Sequence, residues 1–184
     1  MIVFKIAVFV LGSLGIYMVS RSSLRSVNSH GFYRFFAWET ILIMFLLNMD
    51  YWFANPFGPA QISSWILLFI SLYLIFQGVG LFQRKGGVDQ ERSDPELLGF
   101  EKTAELVTSG LYHYIRHPFY SSLLFLAWGI FFKRATFVEL LLGIITTVLL
   151  VMTAKREEIE DIKYFGDQYK EYMKRTKRFV PFVF

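Results

Sequence analysis

The sequence predicts an all-α, polytopic membrane protein with about five transmembrane helices and further amphipathic helices on the cytoplasmic side. Three observations carry this. Of 184 residues, 54% are hydrophobic and the mean hydropathy is +0.42, above the range of ordinary soluble domains. Apolar runs of roughly 20 residues, the length that crosses a ~30 Å hydrocarbon core, recur along the chain. The Lys and Arg residues fall mostly on alternate connections, as the positive-inside rule requires.

The spans follow in order as residues 2–20, 32–54, 63–83, 119–132 and 135–154. The first is apolar, lacks a basic n-region and contains Lys5, so it reads as a retained helix rather than a cleaved signal. The fourth is short, about 20 Å at 1.5 Å per residue. Lys133-Arg134 separates it tightly from the fifth, making a hairpin.

Residues 84–117 form a loop with internal structure. Arg84-Lys85-Gly86-Gly87 ends the third helix, Ser93-Asp94-Pro95-Glu96 carries a helix-start pattern, and Thr108-Ser109-Gly110 turns the chain. A short amphipathic helix is expected there, either lying on the bilayer or roofing a site. Residues 155–184 continue helically past the last span. Ile159, Ile162, Phe165, Tyr169 and Tyr172 make one apolar stripe, the pattern of a helix docked on lipid. The final Phe179-Val180-Pro181-Phe182-Val183-Phe184 needs cover and is expected to fold back onto protein or membrane.

Orientation follows from charge. Residues 21–34, 84–116 and 155–184 hold 16 of the 19 Lys and Arg. The N-terminus is therefore expected outside, with the long loop and the tail in the cytoplasm and the cell membrane as the location. The net charge of +4 suits contact with anionic membrane lipids. Nucleic acid is not indicated, because the aromatics sit in the spans and not among the basic residues of the tail. With no cysteine, thiolate and disulfide chemistry is excluded. His30, His113 and His117 lack metal-ligand spacing, and Gly78/Gly80 and Gly86/Gly87 form no nucleotide fingerprint.

Candidate chemistry concentrates in Leu106–Tyr120, LVTSGLYHYIRHPFY. Pro118 suits the first turn of the short fourth span. The helix start behind it, with Arg116 and His117, makes an anion-binding end. The competing reading is an anchor, with Arg116 snorkelling and Tyr112, Tyr114 and Tyr120 forming an aromatic belt. On the last helix Arg156 has Glu160 at i+4, whereas Glu157 faces Asp161 and Glu158 has only Lys155 at i−3. An acid at a membrane exit without a local cation is either solvated or paired at a distance. An anion-binding end and an unpaired acid together would grip a zwitterion.

Leu106-Val107-Thr108-Ser109-Gly110-Leu111-Tyr112, Arg116-His117-Pro118-Phe119-Tyr120, Arg156-Glu157-Glu158 and Phe165-Gly166-Asp167-Gln168-Tyr169-Lys170-Glu171-Tyr172 resemble the isoprenylcysteine carboxyl methyltransferase and phospholipid methyltransferase family. The resemblance covers the C-terminal half and implies a prokaryotic member. It implies S-adenosylmethionine bound in a pocket enclosed by the last spans and the cytoplasmic segments, and a lipophilic acceptor arriving from the bilayer. By position, Ala104, Glu105, Leu106 and Val107 would line that pocket, and Tyr112, His117, Pro118, Phe119 and Tyr120 would hold the cofactor's amino-acid end. Glu157 would add a polar contact. The family's eukaryotic prenylcysteine enzymes have histidine where Ala104 stands, and an arginine linked there to the substrate carboxylate falls near Thr153.

A sulfonium methyl is already activated, so alignment and exclusion of water are what the protein must supply. A carboxylate acceptor would need a cation such as Arg116; an amine acceptor would give Glu158 or His117 a proton-accepting role. An NADPH-binding, sterol-reductase-like enzyme and a non-enzymatic lipid-binding protein are the alternatives.

Overall fold

The computed structural model describes residues 1–86 and 104–181. Six helices organise them: α1 (Ile2–Ser20), α2 (His30–Asn48), α3 (Pro59–Lys85), α4 (Pro118–Phe131), α5 (Phe137–Phe165) and α6 (Asp167–Arg175). Of these, α1, α2, α3 and α5 are long and apolar enough to cross a membrane. The 14 residues of α4 reach only about 21 Å. All five expected spans are helices, with shifted ends. Helix α2 starts at His30 because Ser29 caps it, its Oγ accepting from the Gly31 N–H at 3.1 Å. It gives way to a 3-10 turn at Met49–Tyr51. Helix α5 continues past the end of the span at Ala154, as expected, and runs to Phe165. The helix start at Ser93-Asp94-Pro95-Glu96 and the last residues Phe182-Val183-Phe184 lie outside the described residues.

Two helix pairs set the architecture. In α2, His30, Arg34, Ala37, Ile41, Met44 and Asn48 recur at spacings of four and three, and all are buried. In α5 the matching face is Glu139, Gly143, Thr146, Leu150 and Thr153. The seam is antiparallel: Thr146 Oγ1 donates to Thr40 Oγ1 at 2.9 Å mid-way, and His30 meets Glu160 at one end. Small and hydroxylated residues let the backbones approach and supply interhelical hydrogen bonds. The register thereby places the acids at 157 and 160 beside the start of α2.

Helices α3 and α4 meet through residues seven apart. Ser64 Oγ donates to the Gly129 carbonyl at 2.6 Å and Ser71 Oγ to the Ser122 carbonyl at 2.7 Å. One heptad on, Gly78 abuts Pro118, where an added methyl would lie 3.2 Å from the proline Cβ. This seam fixes the start of α4. At its far end Lys133 is buried, with Nζ 3.4 Å from the Trp65 ring centroid and 3.0 Å from Gln61 Oε1.

The expected continuous stripe on the tail is broken. Gly166 adopts φ +62°, which redirects the chain between α5 and α6. Ile159 stays 46% exposed, while Tyr169 and Tyr172 are buried against the protein rather than laid on lipid. Beyond α6 the chain pairs with the segment before α4, in a parallel bridge between Ile115 and Lys177. The N–H of Arg116 donates to the Lys177 carbonyl at 2.8 Å, and that of His117 to the Arg178 carbonyl at 3.1 Å. Phe179, 1% exposed, enters the core with Ala37, Tyr120, Leu150 and Ala154. Phe179 thus finds its cover in the protein and Val180 packs against the same cluster, whereas Pro181 is exposed.

Candidate functional site

The turn that leads into α4 is held from both sides. Gly110, at φ +63°, opens a 3-10 turn (Gly110–His113), and a Cβ there would lie 2.5 Å from Leu81 Cδ1. Glycine alone fits. The Tyr112 hydroxyl reaches the Gly78 carbonyl at 3.4 Å, and the Tyr112 carbonyl accepts from the Tyr172 hydroxyl at 2.6 Å. Pro118 then occupies the first position of α4, as its sequence position predicts.

His117 sits immediately before that proline, 5% exposed. Its Nδ1 lies 3.3 Å from Glu157 Oε2 and its Nε2 3.4 Å from Glu158 Oε1. The ring stacks on Tyr120, with centroids 5.5 Å apart and planes at 21°, and Phe179 closes another side. Burial alone would lower the imidazole pKa. Hydrogen bonding to Glu157 and Glu158, together with their charges, outweighs that and pushes it up to about 9. His117 is therefore a cation at neutral pH. Buried His117 Nε2 and Glu157 Oε2 nevertheless lack a well-formed hydrogen bond among the described residues.

Glu158 finds the distant partners that its local sequence lacks. Arg116 Nε donates to its Oε1 at 2.9 Å, and Arg178 donates to both oxygens at 3.1 and 2.8 Å. Arg116 Nη1 bonds the carbonyls of Met173 and Thr176, closing the C-terminal end of α6. The Arg116 side chain is only 8% exposed and each of its nitrogens is engaged, so it neither snorkels to solvent nor stands open to an acceptor carboxylate. Tyr112 and Tyr120 are likewise buried, which removes them from an aromatic belt; Tyr114 stays half exposed. Glu160, expected to pair with Arg156, instead lies 2.5 Å from His30 Nδ1.

The structure brings Arg116, His117, Tyr120, Glu157 and Glu158 together, with Pro118 and Phe119 supplying the turn. Residues Ala104–Val107 lie on another flank. Ala104 and Glu105 are exposed, Val107 is buried, and Leu106 joins Thr108, Asp167, Gln168, Glu171 and Arg175 around a cleft of about 550 Å³. Neither His117 nor Glu157 lines that cleft. Sequence reasoning missed Arg178, Thr176 and Phe179. The available signal was the acid at 158 without a local cation, with an arginine beside a buried aromatic in the tail. Among the described residues no cluster of His, Cys, Asp and Glu could hold a metal ion.

Residues 87–174 match the phospholipid methyltransferase family model. Methanethiol S-methyltransferase 1 of Bradyrhizobium diazoefficiens is 30% identical over 122 residues, 65% of this chain and 39% of that protein. A delta(14)-sterol reductase of Mus musculus is 29% identical over 138 residues, 71% of this chain and 32% of its own length. The chain thus spans well under half of these two relatives. Protein-S-isoprenylcysteine O-methyltransferase B of Arabidopsis thaliana is 30% identical over 152 residues, 77% of this chain and 73% of the relative. No solved structure matches. Identity of that extent, together with the family model over the loop and the last helices, means that the chain belongs to the isoprenylcysteine carboxyl methyltransferase and phospholipid methyltransferase family.

Proposed function

We propose that this protein is an integral membrane methyltransferase that uses S-adenosylmethionine to methylate a lipophilic acceptor, with its basic end in the cytoplasm. The observation that carries the reading is the pair of buried His117 and partly buried Glu157, opposite charges 3.3 Å apart (Nδ1 to Oε2), with hydrogen-bonding capacity left over on His117 Nε2 and Glu157 Oε2. A zwitterionic amino acid moiety fits such a pair, its carboxylate toward the imidazolium and its ammonium toward Glu157. When bound, the donor supplies a methyl group already activated on a sulfonium. The chain's own part is to bind, orient and exclude water. Tyr120 and Phe179 wall the His117 ring off from solvent. Tyr112, Pro118 and Phe119 hold the turn, and Ala104, Glu105, Leu106 and Val107 would serve the remainder of the donor. Arg116 and Glu158 act as positioning residues, locking the turn before α4 to α5 and α6.

The acceptor's hydrocarbon has a place in an apolar groove of about 330 Å³ whose walls include Ile16, Trp38, Leu42 and Leu123. Leu123 also packs against the cluster that contains Tyr120. An acceptor that needs no general base, a carboxylate or a thiolate, suits an imidazole already protonated and a Glu158 held between two guanidinium groups. The O- and S-methyltransferase names of the relatives support the same class. Reconstituted protein given methyl-labelled donor should label an S-prenylated cysteine or an alkyl thiol in preference to phosphatidylethanolamine. Label in phosphatidylethanolamine alone would replace this reading with an N-methyltransferase. The likeness to a sterol reductase favours a second reading, in which NADPH binds instead.

A further inference from the structure

A polar groove at the same end of the bundle is built from residues that the proposed methyl transfer does not use. Ser26 and Asn28 line it from the α1–α2 connector, and Arg156, Ile159, Glu160 and Lys163 from α5, around about 430 Å³. The four α5 residues fall at i, i+3, i+4 and i+7, so they share one helix face. Glu160, the acid of that face, is committed to α2: it accepts from the His30 backbone N–H at 3.2 Å and lies 2.5 Å from His30 Nδ1. Its capture leaves Arg156 and Lys163 without an ion pair or hydrogen bond among the described residues. Two uncommitted cations thus face one groove beside a hydroxyl and an amide.

An oxyanion with several acceptor oxygens would satisfy all four groups, the guanidinium as a fork and the ammonium as a point charge. The groove's setting selects its source. Arg156 lies half a turn beyond Ala154, where the apolar run of α5 ends, and Lys163 is about 10 Å further along the helix. Ile159 in the lining and Val27 beside it are 46% and 59% exposed, an apolar rim that acyl chains would cover. We propose that the groove binds the phosphate of an anionic phospholipid headgroup. The lipid would clamp the connector before α2 to the extension of α5.

Native mass spectrometry of the full chain in detergent, titrated with phosphatidylglycerol, phosphatidylcholine or inorganic phosphate, tests this. Phosphatidylglycerol should be retained in preference to phosphatidylcholine. Removing each cation should weaken its retention about fivefold, so that R156Q/K163Q loses most of it. K174Q, whose charge is paired with Glu171 on α6, should keep it. Should the double variant fail to fold, K163Q decides alone, since Lys163 is exposed. Equal retention of the two lipids overturns the proposal, as does unchanged retention in R156Q/K163Q or K163Q, or an equal loss in K174Q. Displacement of phosphatidylglycerol by inorganic phosphate at matched concentration overturns the lipid assignment.

Discussion

At the scale of single residues, His117 decides how the site behaves. It is a buried cation set between two carboxylates, and its charge links the turn before α4 to α5. Its pKa is raised on folding from 6.5 to about 9. The stabilisation is therefore complete below about pH 6.5 and is lost as pH rises through about 9. The thermal midpoint in detergent should fall between pH 7 and 9.5, and His117→Ala should flatten that slope. His117→Ala should also weaken donor binding about tenfold or more, the equivalent of one lost charge-assisted contact. Tyr120→Phe keeps the stacked ring and should cost less; equal losses in titrations would contradict this ranking. Glu158→Gln leaves Arg116 and Arg178 facing each other in a buried site, so it should destabilise by about 3 kcal/mol or more. A chemical-denaturation series would measure it.

Among the elements, the tail after α6 matters most. Through its backbone it pairs with residues 114–117 in an isolated bridge, and through Phe179 it is a plug against His117 and Tyr120. Phe179→Ala should cost about 3–5 kcal/mol and lower donor affinity as well, because the ring walls His117 off from solvent. A loss of stability with unchanged donor affinity would limit Phe179 to packing. The helices themselves were legible in sequence, since apolar runs of this length have no other solution in a bilayer. Pro118 and Gly110 announced the turn because proline is favoured at a helix's first position and glycine at a positive φ. The path of the tail was not legible. Ile159, Tyr169 and Tyr172 satisfy a helical period, but a period is blind to the turn at Gly166, after which both tyrosines point inward while Ile159, on α5 before it, stays exposed. Arg178 escaped for the same reason: its link to Glu158 depends on tertiary pairing across 20 residues.

For the whole molecule, one end of the bundle carries the start of α2, the turn before α4, the extension of α5, and α6. The cluster at 112–120 and the acid at 157 stood out in the sequence, and the structure brings His117 and Glu157 together. Their meeting depended on the α2–α5 and α3–α4 seams, whose small residues carry little signal in a hydropathy reading. The absence of cysteine makes the orientation simple to test. Lys177→Cys, an exposed position on that end, should react with a membrane-impermeant maleimide only after cells are permeabilised. Phe57→Cys, 87% exposed between α2 and α3, should react without permeabilisation. The reverse pattern would invert the topology. Calorimetric titration of S-adenosylhomocysteine into the purified protein and its Glu157→Gln variant tests whether the donor sits at His117 and Glu157. Saturable binding by the unmodified chain is expected, with none for NADPH and affinity about tenfold or more weaker in the variant; an NADPH response without one to S-adenosylhomocysteine, or a variant that binds as well as the parent, would overturn the assignment.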